Sequence, residues 1–224
     1  MREPTGFRRM RSTSPGHVVL LGDSIFDNGV YVPGDPDVVQ QLRLALPADW
    51  QATLLAVDGA VTDDVPRQLQ RLPDDAGLLV VSAGGNDALG ASHLLRQSVR
   101  TVAEGVALLA RAQQDFAGRY AAMVEAVAAR SLPVALCTIY DANYPPPEGT
   151  VVTAALALFN DVITRAAFSR GLPLIDLRLI CDSPDDYANP IEPSARGGRK
   201  IAAAIAAVAL GEARGSVAVA APRG

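Results

Sequence analysis

Three short stretches hold residues whose types suit acyl-transfer chemistry. The first reads Leu21-Gly22-Asp23-Ser24-Ile25-Phe26-Asp27 and follows an apolar run. Ser24 therefore falls at a strand-to-helix junction. There a hydroxyl can face a cleft and a backbone N–H can point at a developing oxyanion. The same residues also suit an ordinary helix cap, because Asp23, Ser24 and Asp27 all cap well. The second stretch, Asp58-Gly59-Ala60-Val61-Thr62, places a glycine where the backbone either approaches a ligand or simply turns. The third, Ser82-Ala83-Gly84-Gly85-Asn86-Asp87, frees the backbone with two glycines. Its Asn86 either offers side-chain N–H donors to a ligand or caps a turn.

These loops need strands to hold them. Five apolar runs closed by turn residues read as buried parallel strands: His17–Leu21, Gln51–Val57, Gly77–Ser82, Leu132–Ile139 and Leu172–Ile175. Helical spacing fills the gaps between them. Asp37–Leu46 carries Val38, Leu42 and Leu46 on one face. Ser98–Ala129 carries Val102, Val106, Leu109, Phe116, Tyr120, Met123 and Val124. Val151–Ser169 and Ser194–Leu210 complete the set. Strands alternating with helices predict an α/β fold, a three-layer α/β/α sandwich on a parallel sheet. No repeat or linker divides it, so one domain is expected over residues 16–212. Residues 1–15 and 213–224 lack any core-facing period and read as flexible tails. In open α/β sheets ligands bind beyond the carboxyl ends of the strands. All three candidate loops lie at such ends.

The three loops in this order resemble blocks I, II and III of the SGNH (GDSL-type) hydrolases, and the resemblance runs from about Val18 to Leu210. It implies a flavodoxin-like five-stranded parallel sheet. It implies Ser24 as nucleophile, and an oxyanion hole made by the N–H groups of Ser24 and Gly59 with the side chain of Asn86. It also implies ester or thioester substrates, among them acyl esters, aryl esters, lysophospholipids and acetylated sugars.

The family's fifth block normally reads Asp-x-x-His-Pro. Here the matching stretch is Asn189-Pro190-Ile191-Glu192-Pro193. Glu192 takes the place of the histidine and Asn189 that of the aspartate. Three readings follow. In the first, Glu192 is the general base, with burial lifting its pKa toward the working pH. A neutral Asn189 then avoids the repulsion of paired carboxylates and hydrogen-bonds Glu192. In the second, the base comes from elsewhere: His93, or a cleft aspartate such as Asp27, Asp185 or Asp186. In the third, the protein is a degenerate hydrolase that binds a ligand without turnover. The other histidine, His17, opens the first strand at the end away from the cleft.

Composition narrows the partners. Of 224 residues, 49% are hydrophobic and 20% charged, a globular balance. The net charge of −4 and the lack of a basic, aromatic-laced cluster argue against nucleic acid. Arg8, Arg9 and Arg11 are not followed by the apolar run of a secretory signal, and Ile201–Leu210 is too short to span a bilayer. A soluble, cytoplasmic protein with no membrane partner is the expectation. Cys137 and Cys181 lack metal-ligand spacing and read as small buried hydrophobes, although a disulfide stays open. No dinucleotide or phosphate-loop spacing occurs, so no cofactor and no metal are expected. The tyrosines of Tyr140–Pro147 suit either a pocket wall or a surface loop. The expected partner is a small-molecule ester.

Overall fold

The run Val18-Val19-Leu20-Leu21 is wholly buried, and alternation of its side chains divides the core in two. Val18 and Leu20 face one apolar cluster, Val19 and Leu21 the other. A strand apolar on both faces belongs in the middle of a covered sheet. In the computed structural model, which describes residues 16–213, it is an interior strand, paired on both sides. The expected tails lie outside the described residues, apart from Ala213.

The strands are β1 (His17–Gly22), β2 (Gln51–Leu54), β3 (Leu78–Ser82), β4 (Val134–Cys137) and β5 (Leu174–Ile175). They form one parallel sheet in the order β2-β1-β3-β4-β5. This is the flavodoxin-like order, whose switch point lies between β1 and β3. The long helices are α1 (Val38–Ala45), α4 (Val102–Ala128), α5 (Glu148–Arg170) and α7 (Ala195–Ala209). Helices α1 and α7 cover the Val18 face, and α4 and α5 cover the Val19 face. Three of these four starts have a side-chain cap. Asp37 and Gln40 form a capping box on α1, Thr101 caps α4 and Ser194 caps α7. The short helices α2 (Val65–Gln68), α3 (Gly85–Ala91) and α6 (Leu177–Ile180) fill connections in which no helix was expected.

Three sequence expectations change. Strand β2 leaves the ladder at Leu54 rather than Val57, because Leu55 and Ala56 both donate to Leu20 O. A small antiparallel hairpin, β6 (Tyr187–Asn189) with β7 (Glu192–Pro193), stands outside the main sheet. The third concerns α4, whose buried residues begin only at Phe116. Val102 and Val106 are 84% and 58% exposed, not core. The cause is length. A 27-residue helix is about 40 Å long, whereas strands of four to six residues span roughly 13–20 Å. Helices of parallel α/β folds run against their strands, so the surplus at the start of α4 rises above the carboxyl edge of the sheet. Helix α5 is apolar and long enough to cross a bilayer by composition alone. Even so, Phe159, Ile163 and Ala167 lie buried against the sheet. Both cysteines are buried and unpaired.

The turn that presents Ser24 depends on Gly22. Its φ is +124°, and a Cβ there would fall on the carbonyl oxygen of Ser82. The Gln68 side chain brackets the same residue, accepting from Gly22 N–H at 2.8 Å and donating to Gly22 O at 2.7 Å. Gly22→Ala is therefore expected to lose more than about 3 kcal/mol or to fail to fold. Thermal unfolding of the purified variant checks this; a melting temperature equal to wild type would refute it.

Candidate active site

Ser24 follows β1, in a turn closed by Phe26 N–H and Asp27 N–H on Asp23 O. It is only 6% exposed, and its hydroxyl donates to Glu192 Oε1 at 3.1 Å. Glu192, also 6% exposed, opens β7. These two side chains stand 168 positions apart in sequence and meet because the small hairpin is pinned from several sides. Tyr140 OH donates to Ile191 O at 2.6 Å, and Asn143 N–H to Pro190 O at 2.8 Å. Asn28, wholly buried, donates to Pro193 O and accepts from Val38 N–H. Tyr187 OH donates to Asp141 O and Cys181 O. Behind the hairpin, buried Asp186 pairs with Lys200 at 2.6 Å and with Arg196 at 3.3 Å, fastening it to α7.

Electrostatically the site holds two buried carboxyl groups. Burial pushes the Glu192 carboxyl up to about 7. The Ser24 hydrogen bond opposes that rise, and the charge of Asp58 adds to it. Among the described residues nothing bonds the buried Glu192 Oε2, which also disfavours charge on the group. Asp23, 2% exposed, is likewise pushed up to about 7, first by burial and then by the charges of Glu192 and Asp87. The hydrogen bond from Ile25 N–H works against that rise.

Asn86 lies in the first turn of α3, and its Nδ2 donates to Ala60 O at 3.0 Å. An amide nitrogen carries two hydrogens, so one remains to face the cavity. Buried Asp87 ties the same two loops together. It accepts from Thr62 N–H at 2.9 Å and Thr62 OH at 2.8 Å, with Arg119 at 3.4 Å. Among the described residues, no acceptor takes the N–H of Ser24 or of Gly59.

Ser24, Asn86 and Glu192 all line one cavity of about 400 Å³, together with Asp23, Tyr140 and Tyr144. Gly59 does not; it lines a separate groove with Arg67 and Arg71. Its φ of +78° demands glycine, yet a Cβ there would meet open space. The expected hydrogen bond from Asn189 to Glu192 is not made. Asn189 is exposed and sits opposite Glu192 in the hairpin, and its Oδ1 accepts from Ile191 N–H at 2.9 Å. The tight Pro190–Ile191 turn explains this, because an asparagine oxygen readily caps the backbone two residues on. Asn189 shapes the turn that carries Glu192 rather than touching the carboxyl.

The other candidate bases lie elsewhere. His93 is exposed, contacts Gly90 O at 2.9 Å and is absent from the cavity wall. His17 is held by Asp75 at 2.8 Å and Thr53 at 2.7 Å, at the amino end of β1. Asp27 accepts from Asp58 N–H, Asp185 pairs with Arg196, and Asp186 is held by Lys200. Among the described residues, no group of three or more His, Cys, Asp or Glu is disposed to hold a metal ion. Asp23, Gln68, Asn28 and Asp87 are site-building residues that sequence reasoning did not single out. The one local signal was that Asp23 and Asp87 lie inside the motif strings.

Among solved structures, the chain is similar to an extracellular lipase from Streptomyces rimosus, at 19% identity and a TM-score of 0.62 over 83% of this chain and 95% of that one. A phospholipase A1 from Streptomyces albidoflavus aligns at 23% identity and TM-score 0.57, covering 83% and 95%. An aryl esterase from M. smegmatis aligns at 14% identity and TM-score 0.61, covering 87% and 98%. At such identities the likeness speaks for the fold. No curated protein matches the chain in sequence. The model of the GDSL-like lipase/acylhydrolase family matches residues 20–200, a span that takes in all three loops and the β6–β7 hairpin. With that match over most of its length and the fold it shares, this chain belongs to the GDSL-like lipase/acylhydrolase family.

Proposed function

We propose that the protein hydrolyses carboxylic esters through an acyl-enzyme on Ser24, with Glu192 rather than a histidine as proton acceptor. The observation that carries this reading is the 3.1 Å hydrogen bond from the Ser24 hydroxyl to Glu192 Oε1 inside the cavity. An ordinary glutamate, near 4.5, is a weak base at neutral pH. Raised to about 7, it is matched to the task while still charged in a useful fraction of molecules.

The steps follow from this arrangement. Ser24 Oγ bonds the acyl carbon as its proton passes to Glu192, and the carbonyl electrons move onto oxygen. The N–H of Ser24 and the free N–H of Asn86 meet that oxyanion; Gly59, which lines a separate groove, is assigned to the hole by the family resemblance alone. When the tetrahedral intermediate collapses, the ester C–O bond breaks and the departing alkoxide takes the proton from Glu192. Water then gives its proton to Glu192 and attacks the acyl-enzyme, and Glu192 returns the proton to Ser24 as the acid leaves. Tyr140, Asn28 and Asn189 act through the hairpin that holds Glu192.

A second reading, a ligand-binding domain without turnover, is favoured by one observation. Among the described residues nothing bonds Glu192 Oε2, so none of their side chains orients the base from that side. Covalent labelling of Ser24 by a fluorophosphonate separates the two readings, since only an activated serine reacts.

In an esterase assay, Ser24→Ala should lose several orders of magnitude in kcat, roughly a thousandfold or more, and Glu192→Gln nearly as much. Asn86→Ala should lower kcat by about a hundredfold with a smaller change in KM. His93→Ala should match wild type. Loss of activity in His93→Ala with retention in Glu192→Gln would overturn the assignment.

The raised carboxyl also fixes the sign of a stability effect. Between about 4.5 and 7 the unfolded chain gives up the Glu192 proton while the folded protein keeps it. Stability from this group is thus present at low pH and is lost as pH rises through about 7, and Asp23 acts in the same direction. Glu192→Gln should accordingly melt at a higher temperature than wild type near pH 8, by on the order of 2 kcal/mol in stability. The two proteins should converge near pH 4. Paired melting curves at the two pH values test this; equal melting temperatures near pH 8 would contradict it.

A further inference from the structure

The cavity beside Ser24 is far larger than the chemistry alone requires, and its walls explain why it exists. From the Ser24 end it runs between the amino-terminal halves of α4 and α5. Leu109 and Ala112 of α4 form one side, and Ala155, Leu156 and Phe159 of α5 the other. The two helices are tied by Gln113, whose Nε2 donates to Leu158 O at 3.0 Å. On the cavity side of that tie, alanine at 112 and 155 stands where larger side chains would close the gap. Charged lining is confined, apart from Asp23 and Glu192 at the Ser24 end, to exposed Arg96 and Glu148. The apolar wall continues to the surface through Leu89 and Val151, which are 47% and 49% exposed. A pocket that is apolar except where the reacting groups converge suits a ligand that is apolar except at one end.

We infer that this cavity is an acyl-chain pocket, and that the preferred substrates are esters of unbranched fatty acids of about eight to twelve carbons rather than acetate esters. The inference rests on the ester-hydrolase reading and deepens it. The length follows from volume. A cavity of about 400 Å³ that continues to the surface has far more room than an acetyl group needs and accommodates a chain of medium length. The acyl carbon sits at Ser24 Oγ, its oxygen beside Asn86, and the chain runs between α4 and α5. Each methylene that leaves water for the pocket raises kcat/KM by up to about fourfold until the space is filled.

The test is kcat/KM across a series of p-nitrophenyl esters from acetate to palmitate, all below their aggregation limits. It is paired with titration of butyrate and decanoate into Ser24→Ala by calorimetry. The expected result is a rise to a maximum at about eight to twelve carbons, at least tenfold above acetate, with decanoate binding more tightly than butyrate. Ala112→Phe and Ala155→Phe should each cut the decanoate-to-acetate ratio of kcat/KM by at least tenfold, whichever of the two folds better. Turnover that falls steadily from acetate onward, or a ratio unmoved in a folded variant, would overturn the pocket and leave the hydrolase standing. Decanoate binding without turnover of any ester would sustain the pocket and sink the hydrolase. Failure of both measurements would remove both.

Discussion

A carboxylate and a serine hydroxyl, taken out of water together and joined by one hydrogen bond, set the terms for the rest of this structure. Glu192 has one oxygen on Ser24 and, among the described residues, no partner for the other, so the group resists ionisation. Such an arrangement persists only if the surroundings over-determine it. The β6–β7 hairpin accordingly receives hydrogen bonds from Tyr140, Asn143 and Asn28, and is braced on α7 through Asp186, Lys200 and Arg196. Asp23, immediately before the serine, is a second buried carboxyl raised in part by Glu192.

The fold creates the site by a mismatch of lengths. Ser24 and Asn86 follow β1 and β3, the two strands that flank the switch point, so their loops part and leave a crevice. Helices longer than the strands they cover then overshoot the sheet at that edge and wall the crevice with apolar residues. Family membership and the shared fold speak for hydrolase chemistry. The base and the acyl preference are matters of this chain's own residues.

How much of this was legible in the sequence depends on how local each signal is. The strands were visible because a doubly covered parallel strand is apolar without alternation, as in Val18–Leu21. Gly-Asp-Ser and Gly-Gly-Asn-Asp were visible because turn glycines and functional side chains lie within a few residues of each other. Glu192 was reachable only through the register of its flanks. Asn189 was misread because its charge logic permitted a bond to Glu192, while the geometry of a two-residue turn offered Ile191 N–H closer by. Gln68 and Asn28 went unnoticed because each bonds backbone far away in sequence. The apolar stripe of α4 gave no sign of where its core face ends, since a helical period cannot tell a core face from a cavity wall.

The account turns on the protonation of one side chain. Its most direct test is the ¹³C chemical shift of the Glu192 side-chain carboxyl followed through a pH titration, with Glu192→Gln supplying the assignment. The account predicts a midpoint near 7, shifting when Ser24 is replaced by Ala. A midpoint in the ordinary glutamate range, near 4.5, unmoved by that replacement, would contradict it.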